Sequence, residues 1–130
     1  MLLTGSDRLV NLVQFVYWLG CLSLLWTITG QIGGKTRSQW FAVVLGLTIP
    51  MAILQATGTQ NNLVLTFFIL MSVALLLERE YSFYSVFLFS ACIGLGLLTK
   101  GTGYVFMAPI VVGYMFELFR QEKLKAFSKV

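Results

Sequence analysis

The chain has 130 residues, of which 58% are hydrophobic and only 11% are charged, and its mean hydropathy is +0.85. A soluble domain carries about 25% charged residues, so the composition excludes an ordinary soluble protein and predicts an all-α, polytopic bundle of membrane helices. The net charge of +4 comes from basic residues in short loops and a tail. It therefore concerns membrane topology and lipid headgroups, and nucleic acid is not an expected partner.

The apolar runs predict about five transmembrane helices, near residues 9–28, 38–54, 61–77, 81–98 and 103–119, in a single bundle over residues 1–130. Ser6 and Asp7 are suited to cap the first helix. Asp7, Asn11 and Gln14 then share one helix face, which should look into protein or water. The alternative is a helix end that lies in the headgroup region.

A polar stretch, QATGTQNN at 55–62, lies between the second and third spans. Placing such amides near lipid costs free energy unless they are hydrogen-bonded, so the stretch is predicted to line one side of a polar site. An ordinary short turn is the alternative. Pro50 should kink the second helix and bring this loop beneath it. The third span has only 15 apolar-dominated residues from Leu63, roughly 22 Å, so its helix should begin at Asn61 or Asn62, with Thr59 as a cap.

A second marked stretch, LTKGTGY at 98–104, precedes the fifth span. The chain has no histidine, and its two cysteines, Cys21 and Cys92, lie within apolar runs. They are expected to be small buried hydrophobes, because neither the spacing of metal ligands nor a disulfide framework is visible.

The distribution of basic residues predicts the orientation of the bundle. One side of a five-span topology receives seven of them, and the other side receives only Arg8 and Lys100. The seven are Lys35, Arg37, Arg79, Arg120, Lys123, Lys125 and Lys129. The positive-inside rule makes their side, with the basic C-terminal tail, cytoplasmic. The N-terminus and the loops 55–62 and 99–103 should then share the external face.

The first, third and fifth spans all begin on that face, where helix N-termini present N–H groups and the positive ends of their dipoles. The lysine charge of Lys100, the hydroxyls of Thr99 and Thr102, and backbone donors of a glycine-containing turn suit a phosphate or diphosphate. Two alternatives stay open: Lys100 could snorkel to a lipid headgroup, and the glycines of the turn could serve helix packing.

Four motifs in this order carry a resemblance to a known family: GSDRLVNLVQ (5–14), IPMAILQA (49–56), TQNNLV (59–64) and LLTKGTGY (97–104). The chain resembles bacterial membrane glycosyltransferases of the GT-C fold, which are related to protein O-mannosyltransferases and aminoarabinose transferases. The resemblance spans nearly the whole chain. It implies a polyprenyl-phosphate-linked sugar as donor, the bacterial inner membrane as location, and helices two to six of a longer enzyme.

The resemblance also implies roles for particular residues. Lys100 would neutralise the departing lipid phosphate, amides at 60–62 would orient hydroxyl groups, and Arg8 would assist. The substrate-binding residues expected here are therefore Lys100, Gln60, Asn61, Asn62, Thr99, Thr102 and Arg8. The acidic general base of the family belongs to an external loop that would precede Met1, and a second family acid is replaced by Asn62. No catalytic residue is expected within these residues, which alone should not turn over substrate, and the parent enzyme could use a divalent cation.

A competing hypothesis is part of a transporter or flippase whose external cavity binds an anionic lipid-linked ligand, since helix N-termini and a lysine would serve that ligand equally well. A truncated reading frame without activity is a third. The sugar and the acceptor are not identified by the sequence.

Overall fold

A computed structural model describes the backbone of residues 8–56, 61–78 and 82–127, and the side chains of 12–56, 61–78 and 82–120. Within these ranges the regular structure is entirely helical, which confirms the predicted all-α bundle. The helices are α1 (Arg8–Gln31), α2 (Thr36–Thr48), α3 (Pro50–Ala56), α4 (Asn62–Leu76), α5 (Phe83–Thr99) and α6 (Gly103–Phe127).

Two described helices contain a stretch long and apolar enough to cross a bilayer alone, Leu12–Gln31 and Gly103–Arg120, and the bent pair α2 and α3 could supply a third. The helices α4 and α5 are apolar but have only 15 and 17 residues. At 1.5 Å per residue these span roughly 22 and 25 Å, against an apolar core of about 30 Å. The division into five spans therefore stays a prediction.

The second predicted span is broken into two helices at Pro50. Ile49, the residue before this proline, is extended (φ −68°, ψ 110°), because the proline ring disfavours the helical conformation of its predecessor. Pro50 is the first residue of α3, where a missing N–H costs no helical hydrogen bond. The helix axis bends by 66° between α2 and α3, so the expected kink is present and is sharp.

Contacts along α1 and α4 show that these helices run parallel. Midway along α1 and at the start of α4, the Cys21 thiol donates to the Leu63 carbonyl oxygen at 3.9 Å. Near their ends, Gln31 Nε2 donates to the Ala74 carbonyl oxygen at 3.1 Å. The two helices therefore point in the same direction, and the first half of α1 extends beyond the start of α4.

The core of the second half of the chain forms where α4, α5 and α6 meet. The ring of Phe89 stacks on Tyr114 at a centroid distance of 3.7 Å, and Leu75 and Cys92 complete the buried cluster. Both cysteines are free and buried, as predicted. Large apolar side chains such as Leu98 cover the outside of the helices, which is the arrangement expected of a protein surrounded by lipid.

Candidate functional site

The site is built on the tight turn that joins α5 to α6. Lys100 ends α5 in an extended conformation (φ −159°, ψ 139°). Three successive N–H groups at the start of α6 donate to carbonyls three residues earlier: Gly103 to Lys100 at 2.9 Å, Tyr104 to Gly101 at 3.3 Å and Val105 to Thr102 at 3.2 Å. These three N–H groups are therefore engaged within the turn.

Small residues hold this turn close to α4. A Cβ on Gly103 would lie 3.1 Å from the Gly96 carbonyl oxygen and 3.3 Å from Leu65 Cδ1, so α4, α5 and α6 approach closely at this point. Met107, which is 1% exposed, fills the space beside Gly96 one turn further in. The backbone of the lysine turn is therefore fixed against the first turn of α4.

One residue from each of the two polar stretches singled out in the sequence meets the other at this end of the bundle. Lys100 Nζ donates a hydrogen bond to Asn62 Oδ1 at 2.8 Å, across 38 positions of the chain. Lys100 is exposed and Asn62 is half-buried. The ammonium group thus lies at the N-terminus of α4, on the solvent-accessible side of the contact.

The first turn of α4 adds a positive potential near this ammonium group. Asn61 precedes the helix, its side chain makes no capping hydrogen bond, and its carbonyl accepts the N–H of Leu65 at 3.3 Å. No carbonyl of the same helix accepts the N–H groups at a helix start, and they mark the positive end of its dipole. Both the dipole and the lysine favour an anion here.

The hydroxyls of Thr99 and Thr102, both predicted to bind substrate, differ in whether they are available to donate a hydrogen bond to a ligand. Thr99 Oγ1 donates to the Leu95 carbonyl oxygen at 2.8 Å, so its proton is used within α5. Thr102 lies exposed in the turn, beside Gly101. Of these hydroxyls, that of Thr102 is the better placed to donate to a ligand.

Some of the other residues singled out in the sequence lie outside the part of the chain that the structure describes. Gln60 and Thr59 lie outside the described residues, and Arg8 begins α1 without a described side chain. Gln14, on the predicted polar face of α1, is 2% exposed, and in the described part of the chain its buried Oε1 has no hydrogen-bond partner. This face of α1 therefore turns into the protein at Gln14.

The opposite end of the bundle carries the other described cations, Lys35, Arg37 and Arg120, all exposed. There the Ser85 hydroxyl donates to Glu78 Oε2 at 2.5 Å and links α5 to the end of α4. Within residues 8–56, 61–78 and 82–127 no three His, Cys, Asp or Glu side chains cluster as metal ligands would.

The chain has apolar helices long enough to span a membrane, and a family model matches nearly its whole length. Together these findings support an integral membrane glycosyltransferase of the GT-C type. The chain belongs to the dolichyl-phosphate-mannose-protein mannosyltransferase family, whose model matches residues 1–129. This confirms the resemblance drawn from the four sequence motifs. No curated protein and no solved structure gives a significant match.

The sequence indicated Lys100 and the amides at 60–62 as candidate site residues, but it could not predict the hydrogen bond between Lys100 and Asn62. Helix packing was one of the alternatives for the glycines of the turn, and the structure shows it at Gly103; the close approach at Gly96, and the effect of this packing on the position of the lysine, were missed. The only signal for this packing was the glycine content of residues 94–103, which a simple turn would explain as well.

Proposed function

We propose that the chain is part of a membrane glycosyltransferase, and that its lysine turn and the start of α4 hold the phosphate of a polyprenyl-phosphate-linked sugar at the external face. The family description names dolichyl phosphate mannose, a sugar on a lipid phosphate of this kind, as donor. The observation that carries the proposal is the Lys100 ammonium group, held 2.8 Å from Asn62 at the N-terminus of α4.

In the proposed reaction, an acceptor oxygen attacks the anomeric carbon of the sugar with inversion. The bond from that carbon to the phosphate oxygen breaks, and the carrier leaves as polyprenyl monophosphate. Lys100 stabilises the negative charge that grows on this leaving phosphate, and the dipole of α4 adds to its effect. The acceptor proton goes to a base that is not among the residues proposed here.

The remaining predicted residues take supporting roles. Thr102 donates its hydroxyl to a phosphate oxygen, while the amides of Gln60, Asn61 and Asn62 orient sugar or acceptor hydroxyls. Thr99 contributes mainly as an acceptor, because its proton is bound within α5. Arg8 begins α1, whose first half extends beyond the start of α4 on this side of the bundle, and it adds positive charge to that side.

The test replaces Lys100→Met in the full-length protein. Membranes that contain the protein are incubated with polyprenyl phosphates carrying radiolabelled sugars, dolichyl phosphate mannose first, and transfer to membrane acceptors is measured. Transfer should fall by about 10² or more, as when one group that stabilises a developing oxyanion is removed. Folding is followed by the thermal midpoint in detergent.

The matched control is Lys35→Met, which removes an exposed lysine at the opposite end of the bundle. It should leave transfer unchanged. Normal transfer by the Lys100→Met protein, or absence of transfer from every polyprenyl-linked sugar by the unaltered protein, would refute the proposal.

A further inference from the structure

The first half of α1 indicates how far the apolar layer of the membrane extends on the side of the lysine turn. The stretch Leu12–Gln31 is apolar and has 20 residues. At 1.5 Å per residue it spans roughly 30 Å, which equals the apolar core of a bilayer. Near its start, Leu12 is 55% exposed and Val16 is 57% exposed. Outward-facing apolar side chains in a membrane protein are expected to contact lipid, so lipid should surround α1 as far as Leu12.

The lysine site, by which we mean the Lys100 ammonium group and the start of α4, lies well inward of that level. Gln31 contacts Ala74, so α1 and α4 end at similar levels on the opposite side of the bundle. Cys21 contacts Leu63, the second residue of α4. Since Cys21 lies nine residues after Leu12, the start of α4 is roughly 13 Å inward of the outer edge of the apolar stretch.

The length of α4 gives an independent estimate of this depth. The chain after α4 carries three consecutive charged residues, Glu78, Arg79 and Glu80, which are expected at the opposite boundary of the apolar layer. Asn62 lies 16 residues before Glu78, a length of roughly 24 Å and about 6 Å less than the apolar core. The ammonium group of Lys100 lies at the level of Asn62, because only 2.8 Å separates Lys100 Nζ from Asn62 Oδ1.

We infer that the lysine site lies in an indentation of the external face, roughly 6 to 13 Å below the level at which lipid headgroups surround α1. The inference rests on the proposed function and on the predicted five spans. For a donor phosphate to reach Lys100, either the leaflet thins beside the turn or the phosphate leaves the headgroup layer. Both cost free energy that rises with the thickness of the bilayer. The site should therefore take its lipid phosphate more readily from a thin bilayer than from a thick one.

The depth of the site is tested by cysteine labelling of the full-length protein in intact membranes. Val16 lies five residues outward of Cys21 and should be covered by lipid. Val16→Cys should therefore not react with a membrane-impermeant maleimide until detergent is added. Gly101→Cys, in the open part of the lysine turn, should react without detergent, although it lies further inward. Reaction of Val16→Cys as fast as that of Gly101→Cys would place the first half of α1 in water and would overturn the inference.

The effect of bilayer thickness is tested with sugar-free polyprenyl monophosphate as the probe. The full-length protein is placed in nanodiscs of dimyristoleoyl, dioleoyl or dierucoyl phosphatidylcholine, whose bilayers become thicker in that order. The dissociation constant of the probe should rise about fivefold or more from the thinnest to the thickest bilayer, which corresponds to about 1 kcal/mol. The thermal midpoint in each bilayer shows whether the protein stays folded. Equal affinity of the folded protein in all three bilayers would contradict the inference.

Lys100→Met separates this inference from the proposed function. The variant should bind the probe weakly in all three bilayers, with little dependence on thickness. If it binds the probe like the unaltered protein, the role of Lys100 in the proposed function fails. If the unaltered protein binds through Lys100 with the same affinity in all three bilayers, the site lies at the level of the headgroups and only the indentation is refuted.

Discussion

Two glycines in the lysine turn lie two positions apart and have different surroundings. A Cβ on Gly101 would meet nothing within 4 Å, whereas a Cβ on Gly103 would lie 3.1 Å from a backbone oxygen of α5 and 3.3 Å from Leu65. Neither glycine has a positive φ. The two positions therefore differ in packing and not in backbone strain, and they make a matched pair for substitution.

Gly103→Ala should push the turn away from α4 by a few tenths of an ångström and loosen the contact of Lys100 with Asn62. Since a shift of about 1 Å in a positioning group can cost about 10²-fold in rate, this smaller shift should lower sugar transfer about three- to tenfold. Transfer by membranes that contain the variant is the measurement. Gly101→Ala is the control and should transfer normally; an equal effect of both substitutions would show that packing at Gly103 does not position the lysine.

At this scale the sequence predicted the kind of residue but not its partner. A lysine among glycines and threonines before a membrane helix indicates an anion site from local chemistry alone. The contact with Asn62 depends on how α4, α5 and α6 pack, and the two residues are 38 positions apart. No local pattern encodes such a pair.

Among the elements, the pair α2 and α3 departs furthest from a simple membrane span. The proline at its break was visible in the sequence, so a kink there could be predicted. Its size could not, because a bend of 66° also depends on what the short helix packs against. Ala56, at the end of α3, is 4% exposed, so packing at that end holds α3 in place.

Pro50→Ala should allow Ile49 to become helical and should straighten the break between α2 and α3. The distance between spin labels at positions 40 and 54, both exposed, should then increase by about 3 Å for a rise of 1.5 Å per residue. Double electron–electron resonance in nanodiscs measures this distance. The exposed neighbour Met51→Ala should leave it unchanged, and an unchanged distance in the Pro50 variant would mean that tertiary packing alone sets the bend.

Across the whole molecule, the helices separate the described cations between the two ends of the bundle. Lys35, Arg37 and Arg120 lie at one end, and Lys100 lies at the other, at the start of α4 and α6. The sequence could predict this division, because it follows from the order of apolar runs and loops. Which end faces the cytoplasm depends on how the protein inserts into the membrane, and the positive-inside rule predicts that it is the end with Lys35 and Arg37.

Cysteine labelling in intact cells tests this orientation. Gly101→Cys lies in the open part of the lysine turn, and it should react with a membrane-impermeant maleimide added outside. Ile32→Cys, at a position 71% exposed in the turn between α1 and α2, should react only after the membrane is permeabilised. The native Cys21 and Cys92 are each 6% exposed, so the unaltered protein should give little background. The reverse pattern would place Lys100 in the cytoplasm, and a donor phosphate bound by this lysine could then not serve a reaction at the external face.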